Sequence, residues 1–291
     1  MKESTRLVLA LFNRSVLKQQ KWKMLSSFLG PTQGLRCLDI GADNGVISHL
    51  LRQEGGQWSS ADLDPMTVRA IRDVVGSDVH QIDGGRTPFS EDTFDRVVIV
   101  DFLEHIEADE AFLKELHRVM RGAGELIINV PHLKNSWLRR FRLRIGQTDE
   151  KHGHVRPGYT LERLRELLGP RFEILQAQTY SKFFTQTVDT LITWVYGWIK
   201  GGQTASRKGT VVTGDDLQRY KKQFRFYSVI YPFVWLISQL DGLFIRSEGY
   251  MLIVKAKLTK RPAAKAYKRV PAVKASNGRS SGSQVIAKGA R

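Results

Sequence analysis

At 291 residues and 42% hydrophobic composition, the chain can bury one full core and still carry accessory elements. A single cysteine, Cys37, excludes a disulfide within the chain; no zinc-ligand pattern is present, and no metal is expected. The formal charge is +16, of which nine units fall from Leu258 onward, in a stretch without acids, leaving +7 for the rest.

Residues 3–29 repeat apolar side chains near helical spacing (Leu7, Leu11, Val16, Leu17, Met24, Leu25, Phe28) and predict one or two amphipathic helices. Strands and helices then alternate: strand 35–40, helix 45–53, strand 57–62, helix 65–75, strands 78–82 and 95–100, helix 108–120, strand 124–130. Such alternation predicts a mostly parallel sheet covered on both faces. The segment NSWLRRFRLRIG (135–146) is basic and lacks strand character. Its Arg139, Arg140, Arg142 and Arg144 are open to an anionic acceptor, to acidic lipid or to plain solvation. KHGHVRPGYT (151–160) follows, then a helix over 160–168 and strands over 171–180 and 249–258.

Between those last strands lie 68 residues (181–248), too many for a structureless loop. Two apolar segments, 183–200 and 224–245, occupy most of this gap, with polar, Gly-rich sequence between them. The second is apolar almost all round, and the 20 residues between Arg225 and Arg246 are about enough to cross a bilayer. However, Pro232, Ser238, Gln239 and Asp241 interrupt it, and a carboxylate there requires a partner or the interface. An in-plane pair of helices is the favoured reading; a soluble cap, a dimer interface and a true span are the alternatives. The tail 259–291, rich in Ala, Ser, Gly and Pro, is expected to be disordered. Its charge would draw it to lipid headgroups or nucleic acid, or serve solubility alone.

The most informative stretch is LRCLDIGADNG (35–45), read with Asp62, which lies 21 residues after Gly41. An apolar run ends in an acid, turns on glycine and enters a helix, and a second apolar run ends in another acid. That is how an α/β domain builds a nucleoside pocket. Asp43 stands where a dinucleotide loop needs glycine beside pyrophosphate, and no GxxxxGK[ST] loop occurs. Acids in such a loop suit a cationic ligand without phosphate.

Four pieces, LDIGADNG (38–45), SADLDP (60–65), QIDGGRTPFSEDTFDRVVIVDFLEHI (81–106) and FLKELHRVMRGAGELIINVPH (112–132), resemble in order and spacing the class I S-adenosylmethionine-dependent methyltransferases. The likeness is to the LEH-motif, type 11-like group, and covers roughly residues 35–180 with 249–258. It departs at Asp43, in place of the third loop glycine, and at Gly122-Ala123-Gly124, in place of PGG.

The resemblance implies an α/β, Rossmann-like, doubly wound sheet of seven strands, mostly parallel with an antiparallel edge strand (249–258), plus the hydrophobic helical insertion. Its domains would be N-terminal helices (1–34), a methyltransferase domain (35–180 and 249–258), the insertion (181–248) and the tail (259–291). S-adenosyl-L-methionine is the implied cofactor. Asp39 should meet its ammonium, and Gly41, Ala42 and Gly45 should pass their backbone beside it. Asp62 should hold the ribose, with Asp64 capping the next helix instead. Leu63 should touch adenine, Asp83 should receive the adenine amino group with Gly84 close behind, and Asp101 should lie where sulfonium and acceptor meet.

A hydroxyl acceptor gains from a general base, and histidine is the usual choice. His105 and His154 are the leading candidates, His132 and His152 the others, and each is equally open to a structural role. The expected function is methyl transfer, to oxygen, on a lipophilic or lipid-linked small molecule beside an anionic membrane surface. The alternatives are RNA methylation, disfavoured because the basic charge concentrates in the tail without an RNA-binding module, and a non-catalytic adaptor. Without a signal peptide the expected location is cytoplasmic, with peripheral contact on the inner face of the membrane.

Overall fold

The computed structural model describes residues 2–42, 44–149, 153–199, 214–244 and 247–259. Two N-terminal helices, α1 (Glu3–Phe12) and α2 (Val16–Leu29), precede the sheet domain. Then follow β1 (Arg36–Ile40), α3 (Val46–Gln53), β2 (Gln57–Asp62), α4 (Pro65–Val75), β3 (Val79–Gln81) and β4 (Phe94–Val100). A short 3-10 turn, Leu103–His105, leads to α5 (Asp109–Val119), β5 (Met120–Pro131), α6 (Trp137–Arg144), α7 (Leu161–Leu168) and β6 (Phe172–Tyr180). The chain ends its described course with α8 (Phe183–Ile199), α9 (Gly214–Gln239) and β7 (Met251–Leu258).

Seven strands form one sheet in the order β3-β2-β1-β4-β5-β7-β6. Pairing is parallel from β3 to β5, and β7 runs antiparallel to both neighbours. The mostly parallel doubly wound sheet is as expected; the antiparallel strand stands one place in from the margin, with β6 outermost. Alternate residues of each strand face opposite layers. Leu38, Ile40, Val97, Ile99, Leu126 and Ile128 pack under α5 and α7, while Cys37, Val98, Val100, Ile127 and Ile253 pack under α1 to α4. Burial on both faces is why these strands read as unbroken apolar runs.

The expected boundaries of β2 and α4 match the observed ones, because turn chemistry fixes them. Asp64 caps α4 by accepting from the Thr67 amide at 3.1 Å, and Pro65 opens the helix, where its missing N–H costs nothing. The basic segment after β5 folds as the helix α6, capped by Ser136. The tail from 260 lies outside the described residues, so its expected disorder is not addressed by the structure.

Asp241 has its partner within the chain. Its carboxylate accepts from the backbone amides of Phe184 at 2.7 Å and Lys182 at 3.1 Å, and so caps α8. Helix α9 runs through Pro232, and no helix among the described residues is long and apolar enough to cross a membrane. Its inner face holds the N-terminal helices: the Tyr231 hydroxyl bonds Gln19 at 3.1 Å, and Arg14 lies over the rings of Phe224 and Tyr231. On the outer face Val229, Phe233 and Leu236 are exposed, and Leu240 and Leu243 continue the row. The spacings of four and three place one apolar stripe along the helix.

Candidate functional site

The carboxyl ends of β1, β2, β3 and β4 lie side by side, with Ile40 beside Ala61 and Ile99, and Asp62 beside Gln81. The order of strands reverses between β1 and β4, and in such sheets ligands bind in the crevice at that switch. The turn after β1 is forced there by packing. Gly41 has φ +83°, and a side chain on it would collide with the Val100 carbonyl and the Phe102 side chain. A Cβ on Gly45, at φ +82°, would crowd Ile71 and Val74 of α4. Ala42 is buried between them, and Asp43 lies outside the described residues.

Asp39 is fully buried, turned toward α3. Its Oδ2 accepts from the Ser60 hydroxyl at 3.2 Å and lies 3.7 Å from Arg52. Its Oδ1 accepts no hydrogen bond from the described residues. Burial raises its pKa, although Arg52 and the neighbouring hydroxyls oppose the shift. A buried carboxylate with an open acceptor atom is suited to a cationic or amine-bearing ligand. Asp62, also buried, accepts the Asp64 amide at 3.2 Å. Leu63 packs on the core, and with Ile106 it hems in Gly84, where a Cβ would meet Ile106 at 2.8 Å. Asp83 is exposed and accepts the Gly85 amide at 2.8 Å. This combination of acids and apolar walls fits S-adenosylmethionine, a nucleoside with two positive charges and no phosphate.

Asp101 closes β4 in a left-handed conformation, φ +46°, an uncommon geometry that tertiary contacts must hold in place. Its amide donates to the Asn129 carbonyl at 2.9 Å, and its Oδ1 accepts from Asn129 Nδ2 at 3.0 Å. Asn129 in turn accepts from the Tyr180 hydroxyl at 2.7 Å, and Lys21 of α2 forms an ion pair with Asp101. Burial, with Asp101 adding to it, raises the Tyr180 pKa well above its usual value, so the phenol stays a donor. Sequence reasoning missed Lys21, Asn129 and Tyr180. For the latter two the signal was available, since both stand at carboxyl ends of strands; Lys21 sits in a helix without any local mark.

The two leading histidines come together. Arg156 bonds Asp109 and the carbonyls of Ile106 and Glu107, the last two at 2.9 Å, and the Tyr159 hydroxyl donates to the Leu103 carbonyl at 3.0 Å. Together with the Val155 amide, which donates to the Glu104 carbonyl at 2.9 Å, these bonds clamp 153–159 onto the turn after β4. The rings of His105 and His154 meet edge to face, 4.8 Å between centroids. His105 Nδ1 lies 2.8 Å from the Gly153 carbonyl, and Nε2 is 3.9 Å from Oε1 of the fully buried Glu104. A carbonyl only accepts, so Nδ1 carries a proton. His132 plays a structural part: its Nδ1 bonds the Gly249 carbonyl at 2.9 Å, beside β7. His152 lies outside the described residues.

The root of the insertion stands against α2, where Gln20, next to Lys21, donates to Thr185 at 3.2 Å. Asp189 of α8, partly buried, has its carboxyl pushed up to about 6 by burial, opposed by Arg142.

Residues 38–128 match a family described as a methyltransferase domain. A demethylmenaquinone methyltransferase of Clavibacter sepedonicus is 32% identical over 120 residues, which is 39% of this chain and 49% of the relative. A ubiquinone biosynthesis O-methyltransferase of Parvibaculum lavamentivorans is 28% identical over 103 residues, 34% of this chain and 41% of the relative. The chain thus spans about half, or less, of the length of the curated relatives it matches. Among solved structures, the YcgJ protein of Bacillus subtilis is similar over 84% of this chain and 99% of its own, with a TM-score of 0.51 at 14% identity. That likeness shows the fold alone.

Proposed function

We propose that residues 38–128, which match a methyltransferase domain, work as a class I S-adenosylmethionine-dependent methyltransferase, and that the whole chain methylates a hydroxyl oxygen of a lipophilic acceptor at a membrane surface. The observation that carries this reading is the placement of Asp39, Asp62 and Asp101 at the carboxyl ends of β1, β2 and β4, beside the switch point. Methyltransferases of this family take their methyl group from S-adenosylmethionine.

When bound, that donor supplies a methyl on positively charged sulfur, which departs as a neutral thioether once the acceptor oxygen bonds the methyl carbon. This chain's part is to align the partners, which can account for ~7–11 kcal/mol of barrier. Asp62 would hold the ribose, Leu63 and Gly84 would flank the adenine, and Asp83 would accept from its amino group. Asp39, through Oδ1, would take the ammonium. Asp101, steadied by Asn129 and Lys21, would face the sulfur. His105 Nε2 would receive the acceptor's proton, with His154 packed against it, an effect of ~10²–10⁴-fold where the acceptor is a hydroxyl.

The lipophilic acceptor is supported by the exposed stripe on α9, a helix held to α2, which carries Lys21, by the bond of Tyr231 to Gln19. It is also in keeping with relatives named for demethylmenaquinone and ubiquinone biosynthesis. Such a stripe, with basic residues near it, lies in the headgroup plane of a bilayer rather than across it.

The test is calorimetric titration with S-adenosylmethionine, followed by transfer of labelled methyl to an isoprenoid phenol in anionic vesicles. Asp62→Ala should abolish donor binding without unfolding the chain. Absence of donor binding in the parent would sink the reading and favour an adaptor; methyl incorporation into RNA but not into the phenol would replace the acceptor class.

A further inference from the structure

We propose that Glu104, His105 and His154 form a binding site for a divalent transition-metal ion of the zinc or iron class, at the acceptor side of the crevice. One ligand atom from each lies within 4.8 Å of the other two. Glu104 is fully buried, and Nδ1 of His105 is engaged by the Gly153 carbonyl at 2.8 Å. Metal-bound histidines are typically held in this manner, with one nitrogen tied to a carbonyl so that the other is aimed as a lone pair.

The sequence reading expected no metal, because it looked for ligand spacing along the chain. The third ligand comes from 49 positions further on, delivered by the clamp of Arg156 and Tyr159 on the turn after β4. A divalent ion engages all three donors. Two imidazoles and one carboxylate suit zinc or iron, whereas magnesium and calcium prefer all-oxygen sites.

Zinc at ~2.0–2.1 Å from each ligand would hold tetrahedral ligand atoms ~3.4 Å apart. Small side-chain rotations would close the gap, and a fourth position would be left for solvent or an acceptor oxygen. The site itself stands on geometry. With a metal on His105 Nε2 that nitrogen cannot also serve as the base, so a loaded site would ease loss of the acceptor's proton in its place, a role that rests on the methyl-transfer reading.

The experiment is titration of the untagged, chelator-treated protein with Zn2+, and with Co2+ followed by its visible absorption, in the absence of donor and acceptor. One ion per chain should bind. His154→Ala and Glu104→Gln should each weaken binding by at least the ~10–100-fold that loss of an outer partner alone produces. His154→Ala, at a partly exposed position, decides the matter if Glu104→Gln fails to fold. Failure to bind Zn2+ or Co2+, or binding indifferent to both substitutions, overturns the site. S-adenosylmethionine affinity, measured separately, keeps that failure distinct from failure of the methyl-transfer reading.

Discussion

Replacing Phe233, Leu236 and Leu243 together by serine removes the middle of the stripe on α9 and its continuation. These side chains are 66%, 62% and 76% exposed, so they hold up no core and the variant should fold as the parent does. Burying such a side chain fully is worth ~1.5–3 kcal/mol, and about two thirds of that is still to be gained. Each therefore offers a bilayer interface ~1–2 kcal/mol, or ~3–6 kcal/mol for the three. At ~1.4 kcal/mol per tenfold, the triple variant should partition ~10²–10⁴-fold more weakly into anionic vesicles. Flotation measures the bound fraction, and a blue shift of tryptophan emission that is lost on replacing Trp235 by phenylalanine reports insertion independently. A parent that stays in the aqueous phase, or a triple variant that floats as well as the parent, refutes the reasoning.

Asp241→Ala strips the cap from α8 and should cost ~0.5–2 kcal/mol by urea unfolding, with Asp241→Asn retaining part of it; an alanine variant as stable as the parent would show the cap to be idle. Tyr180→Phe leaves the buried Asn129 oxygen short of a donor, at ~1–3 kcal/mol, and should also weaken S-adenosylmethionine binding by calorimetry. A stability loss with unchanged affinity would disconnect Tyr180 from the site. For Asp189, whose folded pKa of about 6 exceeds its usual 3.8, the native chain retains a proton that the unfolded chain has released. Stability should therefore fall as pH rises from ~4 to ~6, by at most about 3 kcal/mol and less where water reaches the carboxyl. A urea series across that window should show a smaller fall in Asp189→Asn than in the parent; an equal slope in both proteins contradicts the assignment.

The sheet was legible because its causes are local. Buried strands such as VVIV (97–100) and LIINV (126–130) are apolar on both faces, and Asp64-Pro65 writes a helix start in two residues. The side-by-side ends of β1 and β2 followed from the same local pattern. What escaped the sequence depends on contacts between distant segments. Lys21 and Asp101 are 80 positions apart, Tyr180 and Asn129 51, and Asp241 and Phe184 57. Even β7 was placed at the margin of the sheet, since nothing in GYMLIVKAKL distinguishes an edge strand from one with two neighbours. Its pairing with both β5 and β6 does so.

The antiparallel pairing of β6 with β7 has one more consequence. Tyr180 sits opposite Met251, the Tyr250 amide bonds the Ser181 carbonyl at 2.9 Å, and Gly249 rests so close to the Tyr180 backbone that no side chain fits. The excursion thus begins and returns at nearly the same spot, where a two-residue hairpin turn could bridge the strands. Its long detour is an appendage hung from a closed neck, so grafting, trimming or exchanging it leaves the strand register beneath intact. A lineage can in this manner exchange the appendage without redesigning the sheet.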